Sequence, residues 1–179
     1  MSRSLHTDPY PLRAARRVRD VQVRVGRPRP GFVHPAGASD IRRALAFFGA
    51  PATYGLRRIE LRHGTGRLLV AALSEPGVVV LFEQPRPPWT IQGRLTTEAR
   101  VRLRRAGATV EQGASAARVD WPGQALRDFM LLDGLMHEIG HHAIQHRARK
   151  TRPIMRTVDH ERSADAFAAS CRRAWVDRA

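Results

Sequence analysis

Five consecutive residues in the second half of the chain have the types and spacing of a zinc site. In His137-Glu138-Ile139-Gly140-His141 the two histidines are four residues apart, within a segment whose apolar periodicity predicts a helix. This spacing places both imidazoles on one helical face, about 6 Å apart along the axis, where both can reach one ion. Glu138 would lie beside the metal rather than on it. We therefore predict zinc held by His137 and His141, with Glu138 taking a proton from the water at the open position.

A third ligand and a residue that orients one histidine are predicted on the next helix. Glu161 follows a stretch long enough to turn and bring a second helix alongside the first. Asp165 lies four residues further on, on the same face, where it could hydrogen-bond the outer ring nitrogen of a ligand histidine. The predicted ligands are therefore His137, His141 and Glu161, supported by Asp165. His160 could replace Glu161, because histidine also binds zinc.

Plainer interpretations of these residues stay open. The histidines could lie on the surface of an amphipathic helix, and the carboxylates could pair with Arg162 or Arg172. His142 points about 100° away from its neighbour His141, so it is expected on the solvent side or in contact with a ligand. No residue is identified as the oxyanion stabiliser, and the local candidates are Tyr54, His142, His146, His160 and Arg162.

Two motifs together resemble those of the gluzincin metallopeptidases. The segments His137–His141 and Glu161–Ala168 follow the patterns H-E-x-G-H and E-x-x-A-D-x-F-A, and they are most similar to the ImmA/IrrE-type metallo-endopeptidases. The resemblance covers roughly residues 120–175. It implies a zincin-like α+β fold, in which a small antiparallel sheet packs on the HExxH helix and a following helix carries the third ligand. It also implies hydrolysis of a protein or peptide substrate with Zn²⁺ as the cofactor.

Hydrophobic periodicity predicts the elements that come before this site. Ser39 and Asp40 are interpreted as the start of a helix, which Gly49 and Pro51 end. The turn signals beyond it predict an antiparallel meander of three strands, at 56–62, 68–73 and 78–82.

The second half of the chain is predicted to be mostly helical. Residues 96–121 fit either a helix or a hairpin, whereas 124–147 and 159–177 have the spacing of helices with one apolar face. Gly134, inside the first of these helices, marks either a break or the close approach of another element.

The strong positive charge is a less specific signal. The formal net charge is +15, which alone would indicate an anionic partner such as nucleic acid. Lys150 is the only lysine, so the excess is almost entirely arginine and indicates compositional bias. Residues 1–37 are predicted to be a disordered or extended arm rich in arginine and proline, ahead of a single domain at 38–179. This arm and the loop 147–158 could associate weakly with nucleic acid.

Cysteine usage and hydropathy predict a cytoplasmic protein. Cys171 is the only cysteine, so neither an intramolecular disulfide nor a four-cysteine zinc site is possible. No apolar run approaches the roughly 18 residues of a membrane span, and no secretory signal is recognised. The sequence therefore predicts a zinc-dependent peptide-bond hydrolase that does not contact a membrane. The alternative is a zinc-stabilised regulatory or nucleic-acid-associated protein with little or no proteolytic activity.

Overall fold

The computed structural model describes residues 20–64, 69–147 and 158–177. Strands and helices both contribute to the fold, which confirms the predicted α+β class. The strands are β1 (Gln22–Val25), β2 (Phe32–Val33), β3 (Arg58–Arg62), β4 (Ala71–Glu75), β5 (Val78–Phe82), β6 (Gln84–Pro85), β7 (Trp89–Gln92), β8 (Thr109–Gln112) and β9 (Ala116–Asp120). The helices are α1 (Ala38–Phe48), α2 (Ala50–Thr53), α3 (Thr97–Arg105), α4 (Ala125–Asp128), α5 (Met136–Arg147) and α6 (Val158–Val176). None of these described helices is both long and apolar enough to cross a membrane.

The largest sheet is mixed, so the predicted antiparallel meander is wrong. Its strand order is β1-β3-β5-β4, in which β3 pairs in parallel with β1 and β5, and β4 pairs antiparallel with β5. The tight turn between β4 and β5 does make the expected hairpin. The pairing of β3 with β5 follows from burial instead, because Val78–Leu81 is almost wholly buried and so takes a central position.

Residues 20–37 are part of the fold, although the sequence predicts an arm over 1–37. Strand β1 pairs with β3 from Gln22 opposite Arg58 to Val25 opposite Leu61, and Val23 packs against the core. The predicted boundary at residue 37 therefore does not separate an arm from the domain. A short edge strand with mostly exposed side chains carries little hydrophobic signal, which is why its sequence resembles a loop. The part of the arm before Asp20 lies outside the described residues.

Helix α1 begins slightly earlier than the sequence indicates. Its cap is Gly37 rather than Ser39, and the Asp40 carboxylate accepts a hydrogen bond from the backbone N–H of Gly37 at 2.9 Å. Asp40 thus supports the start of the helix from its third position. The predicted end is confirmed, because Gly49 caps α1 with a φ of 65°.

Two hydrophobic cores hold the site in place. The larger one packs α5 against the four-stranded sheet through fully buried side chains such as Ile59, Leu81, Leu135 and Met136. The smaller core involves residues 96–121, for which the sequence fits either a helix or a hairpin. Both occur there, as α3 and the β8–β9 hairpin. These elements pack with β7 around aromatic side chains. Burial of this apolar surface fixes α5, and with it the HExxH motif, on the sheet.

A π-helical segment, Phe129–Leu135, interrupts the helix predicted over 124–147. The wider turn rotates the residues beyond it relative to a continuous α-helix. Gly134 lies in this segment, and a Cβ on it would come within 2.7 Å of Cγ1 of Val70. The close approach considered from the sequence is thus confirmed, because Gly134 lets the chain just before β4 pack against the helix that leads into the motif.

Candidate metal centre

Three of the predicted ligands converge on one point between α5 and α6. The Nε2 atoms of His137 and His141 are 3.0 Å apart. One carboxylate oxygen of Glu161 lies 3.5 Å from Nε2 of His137, and the other lies 3.4 Å from Nε2 of His141. Among the described residues, His137, His141 and Glu161 are the group whose donor atoms could hold one metal ion.

The size of this triangle fits zinc. Zinc binds imidazole nitrogen and carboxylate oxygen at about 2.0–2.2 Å, so donor atoms at the corners of a tetrahedron are about 3.3–3.6 Å apart. The observed separations of 3.0, 3.4 and 3.5 Å are close to these values. Two imidazoles and one carboxylate also form a donor set of the catalytic kind, which has three protein ligands and an open fourth position.

The outer nitrogen of His137 faces Asp165, as predicted. Oδ1 of Asp165 lies 3.0 Å from Nδ1 of His137, and this nitrogen is buried. The distance is that of a hydrogen bond, although the atoms are not well aligned for one. A proton on Nδ1, the nitrogen beside this carboxylate, would leave the lone pair on Nε2, where it is available to a metal. The side chain of Asp165 is 67% exposed, so solvent weakens this electrostatic contact.

Helices α5 and α6 pack closely at a glycine within the motif. A Cβ on Gly140 would lie 3.0 Å from Cα of Ala164 and 3.3 Å from Cβ of Phe167. Ala164 itself is fully buried. These two small residues therefore allow the backbones to come together, and this proximity brings Glu161, one turn before Ala164, to the two histidines.

Substituting this glycine should weaken metal binding. Gly140→Ala would normally favour a helix by about 1 kcal/mol. Here the added methyl group meets the Ala164 backbone, so we expect α6 to shift and zinc affinity to fall by about tenfold or more, as when a supporting contact of a metal ligand is lost. Competition with a chromophoric chelator measures the affinity. Ala166→Ser, on the exposed face of α6, is the control. An unchanged affinity for Gly140→Ala would mean that the tight packing is not required.

Glu138 lies beside the ligands but is not one of the three converging residues. Its side chain is buried, and Oε2 accepts a hydrogen bond of 2.8 Å from the backbone N–H of Leu73 in β4. Because β4 is an edge strand and this N–H is given to Glu138, the carboxylate lies at the side of β4 that faces away from β5. Sequence reasoning missed the contact with Leu73, since no local pattern reports which strand packs on a helix.

His142 is buried rather than on the solvent side. Only 3% of it is exposed, and its Nε2 donates to the backbone carbonyl of Tyr54 at 3.1 Å, which ties α5 to the end of α2. His160 is not part of the converging group among the described residues. The side chain of His146 lies outside the described residues. No oxyanion stabiliser is therefore identified from the predicted candidates.

The arginines that could have paired with the predicted ligands have other partners. Arg162 lies 3.5 Å from Asp159 in an exposed pair on α6. Arg172 forms a close ion pair with Asp133 of the π-helical segment. The interpretation of Glu161 and Asp165 as carboxylates paired with these arginines is thus not the observed arrangement.

The family resemblance rests on the two motifs. Comparison with protein-family models, with curated proteins and with solved structures finds no match to this chain. Membership of the ImmA/IrrE-type family and enzymatic activity accordingly stay predictions, to be judged on the site itself.

Proposed function

We propose that this protein is a zinc-dependent peptide-bond hydrolase. The observation that carries the proposal is the convergence of His137, His141 and Glu161 within 3.5 Å, with a buried glutamate next in sequence to one of them but outside the group. A site that only stabilised a fold would more often close all four metal positions with protein ligands. The resemblance to zincin-like metallo-endopeptidases supports the same reaction class.

Each residue has a definite role in this proposal. His137, His141 and Glu161 hold the ion, and Asp165 keeps the His137 ring in the orientation that presents Nε2. Zinc, when bound, supplies a Lewis acid that polarises the scissile carbonyl and acidifies water. Glu138 accepts the proton of the attacking water and returns it to the leaving amine.

The open edge of β4 is suited to an extended substrate. Within the described ranges, strand β4 pairs on one side only, with β5, and its Leu73 N–H on the other side reaches Glu138. A peptide that added a strand along this edge would run past the Glu138 carboxylate. Backbone pairing would therefore bring a peptide bond to the proposed base without requiring any particular side chain.

The buried thiol is a poor alternative nucleophile. Burial raises the pKa of Cys171 to about 11, so the thiol is protonated at neutral pH. Cys171 also packs in the large hydrophobic core. Hydrolysis through this cysteine is therefore not favoured, and the carboxylate and histidine cluster carries the proposal.

A second candidate function is a regulatory protein with a zinc-stabilised fold. The contact between Glu138 and Leu73 favours it, because this hydrogen bond joins the HExxH helix to the sheet and gives Glu138 a structural role. Weak association with nucleic acid through the arginine-rich segments would fit this candidate too, although residues 1–19 and 148–157 lie outside the described ranges.

Metal content and cleavage together test the proposal. Purified protein should hold about one zinc per chain and cleave an unstructured protein such as casein, giving new N-termini that mass spectrometry detects. A chelator should stop cleavage, and added zinc should restore it. A casein sample with chelator and zinc but no enzyme is the control. Protein that binds zinc but cleaves nothing would support the regulatory candidate, and protein that binds no zinc would overturn both.

A further inference from the structure

A row of polar contacts runs along the interface between α6 and the helical stretch that contains the metal centre. Asp133, His137 and His141 follow one another at intervals of four residues, so they lie near one face of the π-helical segment and α5. Their partners on α6, in the opposite order along the chain, are Arg172, Asp165 and Glu161. The ion pair at the far end of this row therefore continues the line of contacts that the metal centre begins.

The pair of Asp133 with Arg172 is the most protected contact of this row from solvent among those that involve a carboxylate. Its side chains are 23% and 17% exposed, whereas those of Glu161 and Asp165 are 44% and 67% exposed. Water screens such a pair less than an exposed one, and separating the partners leaves a partly buried charge without compensation. This pair is thus the polar contact of the interface that resists separation most.

Apolar packing distinguishes poorly between alternative positions of α6 along its neighbour. The buried residues of α6 are Ala164, Ala168 and Cys171, which are all small. Phe167 and Trp175 are larger, but each is only partly buried against the core. Small side chains one turn apart can exchange places with little change in packed volume, so a further contact is needed to select one register.

A slip of α6 by one turn, about 5.4 Å, would change both the ligands and the ion pair. In one direction, Asp165 would reach the place of Glu161 at the histidines, and Val176 would face Asp133. In the other direction, Glu161 would leave the histidines and Ala168 would face Asp133. Both slips replace the arginine beside Asp133 with an apolar side chain, so the observed register is the one that pairs this charge.

We propose that Asp133 and Arg172 are positioning residues of the metal centre, because their ion pair selects the register in which α6 presents Glu161 to the two histidines. Polar pairs within helix interfaces specify register in this way, since another alignment leaves a charge without its partner. The inference rests on the proposed function for the role of Glu161 as the third ligand. The register itself does not depend on zinc.

The contact between Gly140 and Ala164 reports the register in zinc-free protein. A Cβ on Gly140 would lie 3.0 Å from Cα of Ala164, so the protons of these two residues should show a nuclear Overhauser effect. This effect is measured in isotope-labelled wild type, in Arg172→Gln, and in an exchanged pair that carries Asp133→Arg with Arg172→Asp. Arg173→Gln removes the same charge at the exposed neighbouring position and is the matched control. Zinc affinity, the absorption spectrum of bound Co²⁺ and melting temperature are measured on the same proteins.

Arg172→Gln should lose or weaken the contact between Gly140 and Ala164. It should also bind zinc about tenfold or more less tightly and change the cobalt spectrum, because the third ligand is displaced. Arg173→Gln should match the wild type. The exchanged pair should recover the contact and the affinity, since it restores opposite charges at the same two positions.

A lower melting temperature in Arg172→Gln with the contact and the zinc affinity unchanged would overturn the proposal, because the pair would then only stabilise the fold. If Arg172→Gln does not fold, the exchanged pair decides: a folded protein with the contact supports the proposal. An exchanged pair that is unfolded or lacks the contact overturns it. Wild type that binds no zinc, together with loss of the contact in Arg172→Gln, would count against the proposed function alone.

Discussion

Replacing His141 with alanine is expected to abolish zinc binding. This side chain is 2% exposed, and its Nε2 lies 3.0 Å from the His137 nitrogen and 3.4 Å from Glu161. Since the ion would be left with two protein ligands, affinity should fall by more than the roughly 10–100-fold that loss of a supporting contact costs. His137→Ala should act alike. Zinc content after dialysis, and competition with a chelator, measure the effect.

The same measurement of zinc affinity tests whether Glu161 or His160 is the third ligand. Glu161→Ala should weaken zinc binding far more than His160→Ala, because the Glu161 carboxylate bridges the two histidines and His160 is not in the converging group. Asp165→Asn should lower zinc affinity by an intermediate amount, about 10–100-fold, because Asp165 contacts the ligand His137 and not the metal itself. Equal zinc content in wild type and in both histidine variants would refute the site. A larger loss in His160→Ala would transfer the third position to His160 and weaken the family resemblance.

The candidate site was predictable from the sequence because helices impose a fixed geometry. A spacing of four residues decides that His137 and His141 share a face, and the same spacing places Asp165 beside Glu161 on the next helix. Apolar periodicity located both helices, and α6 ends at Val176, one residue before the predicted position. Local rules therefore sufficed for the arrangement within each helix.

Pairing between distant segments could not be derived in this way. The predicted strands at 56–62 and 78–82 are observed as β3 and β5, but the parallel pairing of these two strands and the edge strand β1 follow from which surfaces are buried. A four-residue edge strand such as β1 has little pattern of its own. The π-helical segment has no recognisable sequence pattern either. One additional residue in a helical turn does not interrupt the run of apolar residues, so the sequence is still that of a continuous helix.

Glycines gave partial signals of close packing. A glycine within a predicted helix is unfavourable by about 1 kcal/mol, so Gly134 and Gly140 each indicate a reason beyond helix formation. The structure gives that reason, since a side chain at either position would meet Val70 or Ala164. What the sequence could not indicate was the partner of each glycine, which depends on the assembled fold.

Glu138→Gln is expected to abolish cleavage while preserving the fold and the zinc. Glutamine has nearly the same shape, and its side-chain oxygen can still accept the hydrogen bond that Leu73 donates from β4. What it cannot do is take a proton, and loss of a general base typically lowers the rate by about 10²–10⁴-fold. The rate of casein cleavage, zinc content and melting temperature are measured together.

Glu138→Ala separates the two roles that this residue has in the structure. Alanine removes the proton acceptor and also leaves the partly buried N–H of Leu73 without its carboxylate partner, at a cost of about 1–3 kcal/mol. We therefore expect both variants to be inactive, with the melting temperature lowered substantially only in Glu138→Ala. If Glu138→Gln cleaves as fast as the wild type, Glu138 is not the base and its function is to hold α5 on β4. If Glu138→Gln loses its zinc, the glutamate binds the metal directly and the ligand set is different from the one described.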